Sequence, residues 1–358
     1  MVTCTQEQGR MHPSLRVHAR EDTVSTVNPK WHVGFCNVTT TEYAGIRYSE
    51  YYGSPALMLE AQLKAIDYAE HRWGVGRFMK PYIDLPSVCF ASFLGMPVVV
   101  PDEDEIPYLD TTKPVIADVA DVDQVRIGDP KTSGWMAKRW EAWQYYAQQG
   151  QNVRFGGYEG SVITTACEVT GGSALWGMSE NPEAAKRLLD LMVDANLAIE
   201  ALDVSLCGES PDGYTGDDYA GLLSPEMFHD LAVPCYQRLY AGKRTRFMHS
   251  ELLRAEHLRI ARDLLDITEF HGAGCKNLTL QEMHEIMGNN FWAQVTPQEM
   301  LELSPADISE RIRELAQSGA AYVQIYPGRG TPARNMDAAI AAAHLECTGG
   351  PAWQDSEQ

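Results

Sequence analysis

The sequence predicts an α/β chain folded as one (β/α)8 TIM barrel. Three observations point there. The chain has 358 residues, 44% of them hydrophobic, which suffices for one large core. Short apolar runs alternate with longer helical patterns, the signature of a parallel sheet with right-handed crossovers. The short runs number eight, and eight strands suit closure into a barrel. An open sheet binding a dinucleotide would need a glycine-rich phosphate turn near the first strand. No GxGxxG stands there.

Residues 1–29 are polar and aperiodic and read as a loose arm; 346–358 read as a flexible tail. Between them, 30–345 carry no linker and no repeat, so a single domain is expected. The expected strands are Trp31–Phe35, Phe78–Ile83, Val153–Phe155, Ala201–Cys207, Thr245–His249, Ile267–His271, Phe291–Gln294 and Ala321–Tyr326.

The helices carry start signals. Asn181-Pro182 supplies an N-cap and a first-turn proline, with Leu188, Leu189, Leu191 and Met192 on the apolar face. Ser224-Pro225 does the same, although Pro234 should break or kink that helix. Thr279 and Glu282 make a capping box closed by Gly288. Ser304-Pro305 opens a helix with Ile308, Ile312 and Leu315 as its buried stripe. Further helices are expected near 55–72, 134–148, 251–264 and 334–344.

Charge narrows the partners. Lys plus Arg is 29 and Asp plus Glu is 49, a formal charge of −20. Such a surface repels phosphate backbones, so no nucleic acid is expected. No run of about 18 apolar residues occurs, so no membrane span is expected. The first residues hold no apolar leader, and the eight cysteines form no CxxC pair. Reduced thiols and a cytoplasmic location are expected.

In a barrel the chemistry sits where strands end. His249-x-Glu251 follows Thr245–Met248, and residues two apart on extended backbone face one side. They either hold an ion together, or serve as a polar loop and a helix first turn. Asp217 and Asp218 either cap a helix, or Asp218 orients a histidine, binds metal or moves a proton, with Tyr219 beside it. Two inward carboxylates there would raise each other's pKa. Gly328 and Arg329 in YPGRGTP either form a simple turn or receive a substrate anion. His271 and Cys275 in FHGAGC can add ligands, Glu159 in GGYEG is an acid/base candidate, and Cys36-Asn37 ends the first strand.

TGDDYAGLLSPEMFHDLAVPCYQRLY, FMHSE and LSPADISERIRELAQSGAAYVQIYPGRGTPARNM resemble the uroporphyrinogen decarboxylase superfamily over about 150–343. The resemblance implies a (β/α)8 barrel with its cleft at the C-terminal face. The porphyrinogen decarboxylases carry an R-Q-A-G-R-like motif, whereas Trp31–Gly53 offers only Arg47. The sequence looks closer to the zinc-dependent methyltransferases that move a methyl group between a corrinoid protein, or a methylated substrate, and a thiol. Their zinc is held by H-x-C and a later Cys in a P-G-C-G-like turn. His249 matches, while Glu251 and Arg329 stand in the two cysteine places. Arginine cannot ligate a metal.

The resemblance implies a divalent metal, zinc in the first instance, on His249 and Glu251, with the site rebuilt by Asp218, His271 or Cys275, Cys275 first, unless there is no metal. Asp218 supports it, Arg329, Gly328, Tyr219 and Asn37 bind substrate, and Glu159 assists catalysis. A corrinoid protein and a second copy in a homodimer are the implied partners. The alternatives are a metal-free decarboxylase or lyase on a small carboxylated substrate, and a silent ligand-binding barrel.

Overall fold

The computed structural model describes residues 29–348, apart from 103, 157–159 and 211. The arm and tail thus lie almost wholly outside the described residues, as does Glu159. The strands in chain order are β1 (Lys30–Val33), β2 (Val98–Val99), β3 (Tyr108–Leu109), β4 (Asp212–Gly216), β5 (Thr245–His249), β6 (Glu269–His271), β7 (Phe291–Val295) and β8 (Tyr322–Ile325). Six of them form one parallel sheet in the order β1-β8-β7-β6-β5-β4, and β2 pairs with β3 in a small antiparallel hairpin. Helices alternate with the parallel strands, as their crossovers require.

The strand expected at Ala201–Cys207 is a correction: it is the last quarter of a helix spanning Pro182–Cys207. A short apolar run has no period long enough to separate strand from helix. The true strand, DGYTG, was hidden by two glycines and an aspartate, all poor strand formers. Two other expected strands, 78–83 and 153–155, carry no backbone ladder. They lie between β1 and β4 and are held by side chains. Tyr82 donates to the Phe35 carbonyl just beyond β1 (3.1 Å). Arg139 donates to the carbonyls of Phe155 (2.6 Å) and Ile83 (3.1 Å), joining the two segments. Asp203 of the long helix accepts from Arg154 Nε (2.9 Å) and from the Gly156 N–H (3.0 Å), anchoring the second segment.

The predicted helix starts hold. Asn181 caps through Ala184 N, and Thr279 and Glu282 bond reciprocally. Ser304 caps the Pro305–Gln317 helix, whose Ile308, Ile312 and Leu315 are fully buried. Each of those side chains contributes about 2 kcal/mol by burial. Pro234 breaks nothing outright: a π-turn at Phe228–Ala232 precedes the Val233–Leu239 helix. Widening the turn there is how the chain absorbs a residue with no N–H.

Alternation along the strands separates two faces. Trp31, Val33, Ala293, Val295, Val323 and Ile325 are buried under the helices; Trp31 packs edge-on to His344 of the Ala333–Glu346 helix. The other face looks inward. Its lower layer is aromatic, with Trp292 stacked on Tyr322 (4.4 Å) and Tyr214 on Phe247 (5.3 Å). Its upper layer, nearer the strands' C-terminal ends, is polar.

Candidate functional site at the C-terminal ends of the strands

The upper layer is built by register. His32 pairs with Gln324, Gln324 with Gln294, and His249 with His271, so partners on neighbouring strands share the inner face. His271 Nε2 lies 3.1 Å from Gln294 Oε1, and His271 Nδ1 lies 3.0 Å from His249 Nδ1. On the other side Gln324 Nε2 lies 3.1 Å from His32 Nε2. Burial pushes the pKa of His271 down to about 3, with His249 and His32 adding to the shift and Gln294 opposing it. Burial does the same to His32, again to about 3.

Those contacts set the tautomers. Gln294 Oε1 is an acceptor, so neutral His271 carries its proton on Nε2 and presents a bare Nδ1. His249 Nδ1–H donates to it. His249 Nε2 then faces the mouth, where Asp218 Oδ1 lies 3.9 Å away. A proton or a cation between the ring nitrogen and the carboxylate oxygen completes such a pair. The Asp218 oxygen is held in place by the Glu251 N–H at 2.6 Å.

Glu251 does not share the inner face with His249. The strand ends at His249, buried Ser250 turns the chain, and Glu251 is exposed beyond it. Asp217 and Asp218 also part company. Asp217 is fully buried and caps the Ile163–Val169 helix: it accepts from the backbone of Val162, Ile163 and Thr164, and from the hydroxyls of Thr164 and Tyr236. Burial raises its pKa, and the bonds from Ile163, Tyr236 and Thr164 pull it back. Only Asp218 faces the mouth.

Cys275 donates its thiol to the Leu253 carbonyl (3.3 Å), and burial raises its pKa, so it stays a thiol. Among the described residues, no group of three or more His, Cys, Asp or Glu is arranged to hold a metal ion. Arg329 ion-pairs with Asp104 (2.8 Å) and lies over the Tyr48 ring (5.2 Å). Gly328 makes room for Pro297, whose Cβ would stand 3.1 Å from an added methyl group. Tyr219 is exposed beside Asp218 and donates its N–H to Thr164 Oγ1 (3.1 Å). Half-buried Asn37 opens the first helix, with its carbonyl bonded to Thr41.

One set of residues in the layer is not marked in the sequence. His32, Gln294 and Gln324 each look ordinary inside KWHV, FWAQV and YVQI. Their common signal is a polar residue late in strands that are otherwise apolar, as strands buried on both faces should be. Asp84, by contrast, follows the expected 78–83 strand and stands among the polar residues at the expected strand ends. It is buried, bonded to Tyr51 (2.9 Å), and raised by burial to about 6. A lateral cleft of about 530 Å³, between the loops after β6 and β7, is lined by Cys275, Lys276, Thr296 and Glu299 and reaches Gln294.

Among the described residues no helix is long and apolar enough to cross a membrane. No curated protein matches the chain by sequence. A solved methyltransferase from Methanosarcina mazei is similar in structure, with a TM-score of 0.67 and 14% identity over 89% of this chain and 94% of that one. At that identity the likeness speaks for the fold, which is the (β/α)8 barrel. The model of the family described as uroporphyrinogen decarboxylase (URO-D) matches residues 29–326, and the chain belongs to that family.

Proposed function

We propose that the mouth of the barrel carries out methyl transfer, from a methylated donor or a corrinoid protein to a thiol or similar acceptor, assisted by a divalent ion at His249. The observation that carries this reading is the His249 ring, held by His271 at 3.0 Å with its Nε2 facing Asp218 Oδ1 at 3.9 Å. The donors fit a nitrogen–oxygen site better than a thiolate one: the His249 imidazole and the Asp218 carboxylate, with Cys275 held as a thiol. Such a donor set prefers a harder ion than a cysteine-rich site does. Two anchoring donors leave coordination positions open, as an ion that activates substrate requires. Lewis acidity is the chemistry such an ion supplies when bound, lowering the pKa of an acceptor thiol or polarising a methylated heteroatom.

The chain's own residues do the rest. His271 orients His249, and Glu251 N–H orients Asp218. Arg329 pairs with Asp104 through one guanidinium nitrogen, so an anionic substrate there would share the cation with Asp104 or displace it. The test is titration of the full chain with Zn²⁺, Co²⁺ and Mn²⁺, beside methyl transfer from methylcobalamin to a small thiol. His249→Ala should abolish stoichiometric binding and transfer, and His271→Ala should weaken the ion by about 10–100-fold. Wild type binding these ions no better than His249→Ala sinks the proposal.

A metal-free decarboxylase has one observation in its favour. Asp84, with its pKa near 6, holds a proton close to neutrality. Loss of CO2 from a small carboxylated substrate needs a proton at the carbon left behind. Release of CO2 from candidate acids, lost in Asp84→Asn with metal binding intact, would favour this second reading.

A further inference from the structure

The inner layer is complete on one side and incomplete on the other. His32 is 5% exposed and Gln324 is 4% exposed, and they are register partners on β1 and β8. They bond to each other at 3.1 Å and the Gln324 amide also lies against His271, yet His32 Nδ1 and Gln324 Oε1 make no close hydrogen bond in the protein. Leaving either atom dry costs about 1–3 kcal/mol. A fold does not carry two such costs side by side without something that answers them.

The bond between the pair decides what the open atoms offer. Gln324 Nε2 donates to His32 Nε2, so the neutral ring carries its hydrogen on Nδ1. The open atoms are one donor, His32 Nδ1–H, and one acceptor, Gln324 Oε1. Turning the amide over exchanges these roles and again leaves one of each. Burial keeps His32 uncharged, so the pair brings no positive charge to balance an anion. A carboxylate only accepts and would face the Gln324 oxygen with a like charge. An ammonium only donates. A carboxamide or a hydroxyl does both. The edge of Trp292 against His32 (5.2 Å), stacked in turn on Tyr322, gives the pair an aromatic floor.

We propose that His32 and Gln324 form a subsite for an uncharged donor-and-acceptor group of the substrate, a carboxamide or hydroxyl on an aromatic body, and that this subsite excludes ionised carboxylates. The inference rests on the methyl-transfer reading only in assigning that group to the molecule whose reacting end meets His249.

The test is binding, without turnover. Full-length protein labelled with ¹⁵N-histidine is titrated with 4-methoxybenzamide, 4-methoxybenzyl alcohol and 4-methoxybenzoate, with the His32 ring nitrogens followed by NMR. The amide and the alcohol should bind at least about tenfold more tightly than the carboxylate and shift the His32 resonances. Gln324→Leu should remove the preference. Equal binding of the carboxylate overturns the proposal. So does a His32 ring that none of the three probes moves, because a buried water then completes the pair. The same titration in His249→Ala separates the two readings. A preserved preference without any methyl transfer in wild type leaves this subsite standing and removes the reaction. Transfer without the preference does the reverse.

Discussion

Asp217 and the His32–Gln324 pair are both buried and polar, and they are finished differently. Asp217 takes five hydrogen bonds from the protein, three from the backbone that opens the Ile163–Val169 helix. The His32–Gln324 pair takes one bond between its members and leaves two atoms open. A completed network fixes one structure and belongs to the scaffold. An incomplete one costs stability and is retained where something else completes it. Neighbouring Asp217 and Asp218 repeat the contrast within one dipeptide, since only Asp218 keeps a face toward the mouth.

The sharpest way to break this comparison is to damage the completed network. Asp217→Ala leaves three backbone donors and two hydroxyls without their acceptor and frees the link between the end of β4 and the Ile163–Val169 helix. We expect a loss of about 3–5 kcal/mol, read by urea denaturation. A loss under about 1 kcal/mol would mean that water replaces the carboxylate easily, and that completeness is no mark of scaffold here.

The open layer should show itself through pH. His32 and His271 have folded pKa values of about 3, against about 6.5 in the unfolded chain. Between those values the unfolded state binds protons that the folded state refuses, so each histidine makes stability fall as pH falls below 6.5. The slope approaches about 1.4 kcal/mol per pH unit for each group. Asp84, raised to about 6, acts oppositely: its folded form keeps a proton that the unfolded chain has released, so stability falls as pH rises from about 4 to 6. Asp217, also raised, has the same sign as Asp84. The variant His271→Gln isolates one histidine from this balance. Its stability should fall less steeply than that of wild type between pH 6.5 and 5, by about one proton's slope. Identical slopes would mean that His271 titrates normally and that the tautomer assigned to His249 is wrong.

The same contrast explains what the sequence made legible. Caps are local, so Asn181-Pro182, Thr279 with Glu282 and Ser304-Pro305 could be read directly, and each marks a helix start. Strands β5 to β8 were readable from apolar runs. β4 was not, because its glycines carry no pattern, and the apolar turn before it belongs to a helix. At the site, His249 was visible because a histidine closes an apolar strand. The set His32, Gln294, Gln324 was not, because only strand register brings residues nearly 300 positions apart into contact. Cys275 was nominated on residue type alone, and its thiol is committed to a backbone carbonyl.

The smallest expected effect compares two strained positions. Among the described residues, the non-glycine residues with positive φ are Asp266 (49°) and Ala273 (43°). Asp266 ends the Ala255–Leu265 helix, a place where left-handed backbone is ordinary. Ala273 stands two residues after His271, in the loop that leaves β6, where a left-handed alanine is strained. Glycine relieves about 1 kcal/mol of strain at either position, while its freer unfolded chain takes back about half. Both variants should therefore gain about 0.5 kcal/mol in urea denaturation. Ala273→Gly should also weaken the ion at His249, because a relaxed loop holds His271, and through it the His249 ring, less firmly. Asp266→Gly should leave ion binding unchanged. Equal ion affinity in the two variants would show the strain at Ala273 to be a cost of the turn alone, with no part in setting the site.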